Sequence, residues 1–434
     1  MLTNKISNLC QNLLNIIISI IPLSIILGSL AININVVLIC LLGIVTYKSR
    51  IFKMEHRIFL YLIYSFFFYL ILITLFKNLP NLHVAPRYET HIFKSFFFLR
   101  YLILFLVINR HITDGNFNTK LFFISCAFFV FLVAIDILVQ VSFGVNMLGY
   151  PITEGRPSGL FGSENIAGGY LQKFSLFFIF FVLSYFTPKK TLYKILPFIF
   201  FMVPIILTVN RMSTVIYVTS VFLFLLIEKK LKEILITFLI SLVVLFSIIK
   251  FTPVHSVYRL DTAIKVFYKT SVDIFFNAPK LFWSNTWKED ERLTPGNNGY
   301  VLHFNSGAQV WKKNKIYGGG IKSFQLNCEF IKNQTCNSHP HNYILEILTD
   351  TGIVGLVLIY SIFFLSLISY FKFYINKFNS ELRFISMPFF LITFFEFFPL
   401  RSSGSFWTTN NAVVIFLMLA FLINVSKLKS FNNK

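Results

Sequence analysis

The sequence predicts an all-α, polytopic membrane protein with about twelve transmembrane helices and one large loop that forms a small cap outside the membrane. Of its 434 residues, 56% are hydrophobic and only 13% are charged. This is about half the charged fraction of a soluble domain. The mean hydropathy is +0.71, and several apolar runs reach the roughly 20 residues that cross a hydrocarbon core.

Apolar runs separated by polar segments define the predicted spans. In chain order they lie near residues 13–30, 34–47, 58–76, 93–109, 119–143, 166–186, 193–209, 212–227, 232–250, 342–371, 383–399 and 406–425. Spans one to nine occupy residues 1–250, a polar segment follows at 251–341, and spans ten to twelve occupy 342–434. The first run lacks a small-residue cleavage site, which argues against a removable signal peptide.

Basic residues are concentrated in every second loop, after the second, fourth, sixth, eighth and tenth spans. They are Lys48, Arg50, Lys53, Arg57, Arg110, Lys120, Lys189, Lys190, Lys194, Lys229, Lys230, Lys232, Lys372, Lys377 and Arg383. Because short loops rich in Lys and Arg stay in the cytoplasm, both termini are expected there and segment 251–341 is expected outside. The net charge of +21 follows from these loops, and no basic module for nucleic acid is recognisable.

Two of the five cysteines, Cys328 and Cys336, flank a short polar stretch in the outer segment. A periplasmic location would allow them to form a disulfide, with two unpaired thiols as the alternative. The other three, Cys10, Cys40 and Cys126, lie in or beside apolar runs, where a cysteine acts as a small hydrophobic residue.

The most informative stretch runs from Ser338 to Gly355, where a polar loop meets the tenth span. His341 lies at the outer mouth of this span, and its imidazole titrates near neutral pH, so it can accept a proton from a sugar hydroxyl. Asn342 can cap the helix, and Glu346 and Asp350 share a face of its first turns, where the helix dipole favours negative charge. A histidine that only anchors the helix at the interface is the alternative. His339 and His341 without a third ligand do not make a metal site.

This stretch resembles the signature of the O-antigen ligase and polymerase superfamily of bacterial membrane glycosyltransferases. His341-Asn342, nine residues, Gly352, two residues and Gly355 match it without a gap. Residues 307–324 also resemble the family's amphipathic helix and Gly-rich turn. The specific motifs cover about 300–360, and the ligase-like region about 200–370. The resemblance implies about twelve spans, an outer loop between the ninth and tenth, and a catalytic or substrate-contacting role for His341.

Basic residues near the outer interface form a second group, because a guanidinium binds pyrophosphate through paired hydrogen bonds. Arg211 matches by context an arginine that the family requires, and Arg401 and Arg156 lie in loops on the same side. Contact with lipid headgroups is the alternative for each. For the family's arginine in the large loop, the candidates are Arg259, Arg292 and, as a basic substitute, His303.

The resemblance implies an enzyme of the bacterial inner membrane that works at the periplasmic face without metal or cofactor. It would transfer a glycan from undecaprenyl pyrophosphate to an acceptor hydroxyl, with His341 as base and Arg211 among the groups that hold the leaving pyrophosphate. The acceptor is lipid A-core for a ligase and another carrier-linked repeat unit for a polymerase, and a glycan-to-protein ligase is a third possibility. From other classes, a transporter of lipid-linked sugars or a purely structural protein stays open, although transporters place their polar groups near the midplane.

Overall fold

We analysed a computed structural model of the chain, which describes residues 2–82, 86–153, 155–186, 190–230, scattered positions between 232 and 243, 299–329, 336–376 and 380–431. These residues are predominantly helical and contain no β-strand. Two isolated β-bridges, Val145–Pro151 and Thr153–Arg156, shape the loop after residue 143. The all-α class predicted from the sequence is therefore confirmed for this part of the chain.

The helices follow one another through short loops. They are α1 (Leu2–Ser19), α2 (Ile21–Leu27), α3 (Ser29–Tyr47), α4 (Arg57–Asn78), α5 (Pro86–Thr113), α6 (Thr119–Phe143), α7 (Ala167–Tyr185), α8 (Thr191–Leu207), α9 (Arg211–Ile227), α10 (Gly299–Lys313), α11 (Ser323–Glu329), α12 (Tyr343–Asn376), α13 (Ser380–Glu396) and α14 (Thr409–Ile423).

Helices are described at the other eleven predicted spans, whereas the ninth, at residues 232–250, lies largely outside the described residues. The first span is bent by 47° between α1 and α2. Six of the described helices are long and apolar enough to cross a membrane, or seven if this bent pair is one span. Helices α8, α9 and α14 are apolar but shorter. A multi-pass membrane protein is thus supported, whereas the number twelve stays a prediction, as does the cap, since residues 251–298 are outside the described part.

Helix α7 lies at the centre of the bundle, with 78% of its 18-residue apolar stretch buried. Aromatic rings join it to the helices around it. Phe177 of α7 contacts Phe122 of α6 and Phe389 of α13, with ring centroids 5.3 Å and 5.2 Å apart. Phe389 in turn stacks on Phe421 of α14 at 4.5 Å. Such ring pairs pack densely and fix the central helix between its neighbours.

Helix α12 is not the uninterrupted span that its apolar pattern predicts. It is broken at Gly352, whose backbone has φ 65° and ψ −167°. The break leaves backbone groups without partners in the helix. The Gly-rich loop at residues 315–320, which follows α10, supplies hydrogen-bond partners for them. The N–H groups of Ile353 and Val354 donate to the carbonyls of Lys315 and Ile316 at 3.0 Å and 3.3 Å.

The loop also donates to the first half of α12. The N–H groups of Gly319 and Gly320 lie 3.0 Å and 2.8 Å from the carbonyls of Thr349 and Asp350. A Cβ atom on Gly318 would lie 2.5 Å from the Asp350 carbonyl, so only glycine fits this approach. A Cβ atom on Gly352 would lie 2.1 Å from the carbonyl oxygen of Ile316, so this glycine also permits the close approach of the loop.

Candidate active site at one end of the bundle

A cavity of about 610 Å³ opens at the end of the bundle where α6–α7, α8–α9 and α13–α14 are connected. Four residues predicted from the sequence line it together: Arg156, Arg211, Arg401 and His341. They come from four separate loops or helix ends. The cavity is therefore where the chemically informative parts of the sequence meet.

Arg211 is held at the first turn of α9. The side chain of Asn210 caps this helix by accepting from the N–H of Ser213 at 3.3 Å. Val209 before it has φ 54°, a left-handed conformation that is rare for a β-branched residue and occurs mostly at functional sites. Gly168 of α7 permits the turn to approach, since a Cβ there would lie 2.5 Å from Thr208 Oγ1.

Arg401 takes part in a buried ion-pair network that the sequence analysis missed. Its Nη1 lies 2.7 Å from Glu396 Oε1, and Nζ of Lys173 lies 2.9 Å from the same oxygen. Lys173 also lines the cavity, whereas the side chain of Glu396 is only 1% exposed. A signal was available: opposite charges within the predicted spans 166–186 and 383–399 are rare and usually pair.

His341 has φ 54°, a left-handed backbone, and its carbonyl accepts from the N–H of Ser403 at 2.9 Å. Two further imidazoles surround it, with ring centroids at 4.8 Å for His303 and 4.2 Å for His339. The amide nitrogen of Asn337 lies 3.2 Å from Nε2 of His303 and 3.3 Å from Nε2 of His341. An amide N–H donates to a ring nitrogen that carries a lone pair, so this arrangement suits neutral rings.

The surroundings also favour the neutral form of His339 and His341. Burial, and secondarily the charge of His303, lower the pKa of His341, against a backbone hydrogen bond with Ser403 that raises it. Burial lowers the pKa of His339 to about 3, with further contributions from His341 and Lys322. The lowered pKa favours the unprotonated form of His341, which can accept a proton.

Asn342 does not line the cavity. It caps α12 as predicted, since its Oδ1 accepts from the N–H of Leu345 at 3.0 Å. Its amide donates to the carbonyls of Pro399 and Arg401 at 2.7 Å and 3.0 Å. The side chain is buried, and these contacts hold the α13–α14 connection, which contains Arg401, beside the start of α12. A substrate contact through Asn342 stays a prediction.

Glu346 and Asp350 share one face of α12, as their spacing predicts, but they hold neighbouring segments in place. Oxygens of Glu346 accept from Ser405 Oγ and from the N–H of Phe406, both at 2.5 Å, and Lys322 Nζ lies 3.4 Å away. Asp350 accepts from the N–H of Lys322 at 2.9 Å and from Trp407 Nε1 at 2.7 Å. The carboxylates thus bind α12 to the Gly-rich loop and to the α13–α14 connection that lines the cavity.

Of the remaining predicted residues, Arg259 and Arg292 lie outside the described residues. Cys328 and Cys336 are bonded as a disulfide with their Cα atoms 5.8 Å apart. This bond ties α11 to the segment that leads into His341. Cys10, Cys40 and Cys126 are free thiols. Within the described ranges, no three His, Cys, Asp or Glu side chains are grouped so that they could hold a metal ion.

Comparison with known proteins identifies one family. Residues 196–360 match the model of the O-antigen ligase family, which confirms the resemblance seen in the sequence. The matched region contains Arg211 and His341, whereas Arg401 follows it and Lys173 precedes it. No match is found among curated proteins. The family consists of glycosyltransferase-like membrane enzymes that act on lipid-linked glycans.

Proposed function

We propose, on the premise that residues 196–360 belong to the O-antigen ligase and polymerase superfamily, that this protein transfers a glycan from a lipid-pyrophosphate carrier to an acceptor hydroxyl. The observation that carries the proposal is the meeting of His341 with Arg156, Arg211 and Arg401 around one cavity. A neutral imidazole beside several cations provides a base for the acceptor and a binding site for an anionic leaving group.

The reaction requires one bond to form and one to break at the anomeric carbon of the donor sugar. His341 takes the proton of the acceptor hydroxyl as its oxygen attacks that carbon. The bond from the carbon to the pyrophosphate oxygen breaks, and the electron pair leaves with the pyrophosphate, which inverts the anomeric configuration. Arg211 and Arg401 stabilise the charge that develops on this leaving group, because guanidinium groups bind phosphate oxygens in pairs.

The donor in this proposal is undecaprenyl pyrophosphate carrying a polysaccharide, and the acceptor is lipid A-core at the periplasmic face of the inner membrane. The polymerase, which joins carrier-linked repeat units, is the second candidate and uses the same chemistry. A transporter fits less well. Transporters gather polar groups at the bilayer midplane, whereas here the charged and imidazole side chains lie where the helices are connected.

The decisive experiment replaces His341 in the full-length protein. His341→Asn is the sharpest variant, because asparagine tolerates a left-handed backbone but lacks the base. We expect transfer to fall by about 10²–10⁴-fold, with normal abundance in the membrane. Arg211→Lys is its companion and is also expected to be severely impaired, because lysine retains the charge and loses the paired hydrogen bonds.

The readout is surface polysaccharide on a gel, from a deletion strain carrying each variant. Loss of every ladder band on intact lipid A-core supports a ligase, and a band with a single repeat unit supports a polymerase. A complete ladder from His341→Asn at wild-type abundance contradicts the mechanism and favours an interfacial anchor.

A further inference from the structure

The ion-pair network at the wall of the cavity contains one more cation than it needs. Lys173 and Arg401 both bind Oε1 of Glu396, at 2.9 Å and 2.7 Å. The three side chains are 10%, 11% and 1% exposed for lysine, arginine and glutamate. Two positive charges and one negative charge therefore leave one positive charge in a nearly dry place, which is unfavourable unless an anion joins them.

Arg401 already neutralises Glu396 and is fixed by several contacts. Its Nη1 also donates to the carbonyl of Phe395 at 3.2 Å, and its guanidinium lies 5.6 Å from the ring centre of Tyr343. Lys173 is thus the surplus charge. Gly169, one turn earlier on α7, also lines the cavity, so this face of the helix is directed towards the space that Arg211 borders.

The network also has unused hydrogen-bonding capacity. Nε of Arg401 is buried and has no hydrogen-bond partner among the described residues. A buried donor on a fixed guanidinium is costly when unsatisfied, and an oxygen-rich anion in the cavity would satisfy it. The charge count and the orphaned donor are independent observations that point to the same kind of ligand.

We propose that Lys173 is a third ligand for the donor's pyrophosphate and that Glu396 is a positioning residue that holds Lys173 and Arg401 as a pair. The ammonium of Lys173 binds a non-bridging phosphate oxygen. The guanidinium of Arg401 donates to the pyrophosphate from the other side of Glu396. This inference rests on the proposed function. It assigns roles to two side chains on α7 and α13 that lie outside the region matched by the family model.

The test compares the full-length protein with the variants Lys173→Met, Glu396→Gln and the double variant. The double variant is the informative one, because it keeps the wild-type net charge of one positive unit and removes the second cation. Purified proteins in lipid nanodiscs are titrated with undecaprenyl pyrophosphate and, separately, with undecaprenyl monophosphate. Thermal unfolding of each variant is measured in parallel.

If Lys173 contacts phosphate, the double variant unfolds near the wild-type temperature and binds the pyrophosphate about ten- to a hundredfold more weakly, the usual effect of one charged hydrogen bond. Wild-type affinity in the double variant would overturn the inference and leave Lys173 as a structural partner of Glu396. If the wild-type protein does not prefer the pyrophosphate to the monophosphate, the proposed function itself fails, and this inference fails with it.

Lys173→Gln provides a second test in case the double variant does not fold. Glutamine retains a hydrogen-bond donor for Glu396 and carries no charge, and Lys173→Arg is its charged counterpart. Weaker pyrophosphate binding by Lys173→Gln, with binding retained by Lys173→Arg, supports the inference. Equal affinity in both variants would overturn it.

Discussion

His341 combines two properties that a residue at a helix end does not need for folding alone. Its left-handed backbone is uncommon for a residue with a side chain, and its ring is flanked by His303 and His339. Unusual backbone conformations persist where the surrounding structure enforces them, and they are concentrated at functional sites. Here the hydrogen bond from Ser403 to the His341 carbonyl enforces the turn, so the α13–α14 connection sets the direction of the imidazole.

The lowered pKa of His341 predicts the pH dependence of transfer. A base works in its unprotonated form, and the pKa of His341 lies below the ordinary 6.5. Activity should therefore be retained at pH 6.5 and fall only as the pH drops through this lower value. Burial and the charge of His303 lower this pKa, whereas the backbone hydrogen bond with Ser403 raises it.

Transfer rates of the purified enzyme across about pH 5 to pH 8 provide the measurement for this prediction. His303→Asn should move the acid limb towards pH 6.5, because a His303 ring that becomes protonated in acid repels a proton on His341 and so lowers its pKa. His56→Asn is the matched control, since His56 is exposed in the α3–α4 connection, and it should leave the profile unchanged. A wild-type midpoint above pH 6.5 contradicts the assignment.

Single residues were predictable from the sequence where a local motif marks them. The sequence singled out His341 through its match to a family motif and Arg211 through its context between two predicted spans, and the cap at Asn342 follows from its position alone. Lys173 and Glu396 were not predicted, although each is a charge within a predicted span, because their pairing depends on two helices that are more than 200 residues apart in the chain and become neighbours only in the bundle.

At the scale of elements, the broken helix α12 and the loop at 315–320 act as one unit. The loop satisfies backbone groups on both sides of the break, and Glu346 and Asp350 connect the same region to residues 405–407. The apolar pattern predicted a helix here correctly but could not reveal the break. Glycine alone does not specify one, and the partner loop lies about 30 residues earlier in the chain.

Gly318→Ala tests this unit, with Gly149→Ala as a matched control. Both glycines have left-handed backbones, at φ 78° and φ 83°, but a Cβ at Gly149 meets nothing within 4 Å. Gly149→Ala should cost about 1–2 kcal/mol for the conformation alone. Gly318→Ala should cost about 1–3 kcal/mol more, because the backbone of α12 must move. The difference is measured by thermal unfolding of the purified proteins, and equal destabilisation would show that the loop does not pack on the break.

At the scale of the whole molecule, the two ends of the bundle differ in chemistry. The end opposite the cavity is held together by hydrogen bonds between helices, such as Tyr47 Oη with His111 Nδ1 at 2.6 Å and His111 Nε2 with Asn15 Oδ1 at 3.0 Å. The C-terminal segment is attached there, with Lys427 Nζ 3.1 Å from Glu55 Oε1. One end thus contains hydrogen bonds and an ion pair between segments of the described chain, and the other contains the cavity with Arg156, Arg211, Arg401 and Lys173.

The final prediction assigns these ends to the two sides of the membrane. Loops rich in Lys and Arg are expected in the cytoplasm, and residues 48–57, 110–120 and 424–431 meet at the end opposite the cavity. A reporter that is active only in the periplasm should therefore be active when fused after Lys312 and inactive after Lys190 or Lys377. Activity after Lys190 would reverse the orientation and place His341 in the cytoplasm. The cavity would then face the compartment opposite to the one in which we propose that the acceptor lies, and the proposed reaction could not occur there.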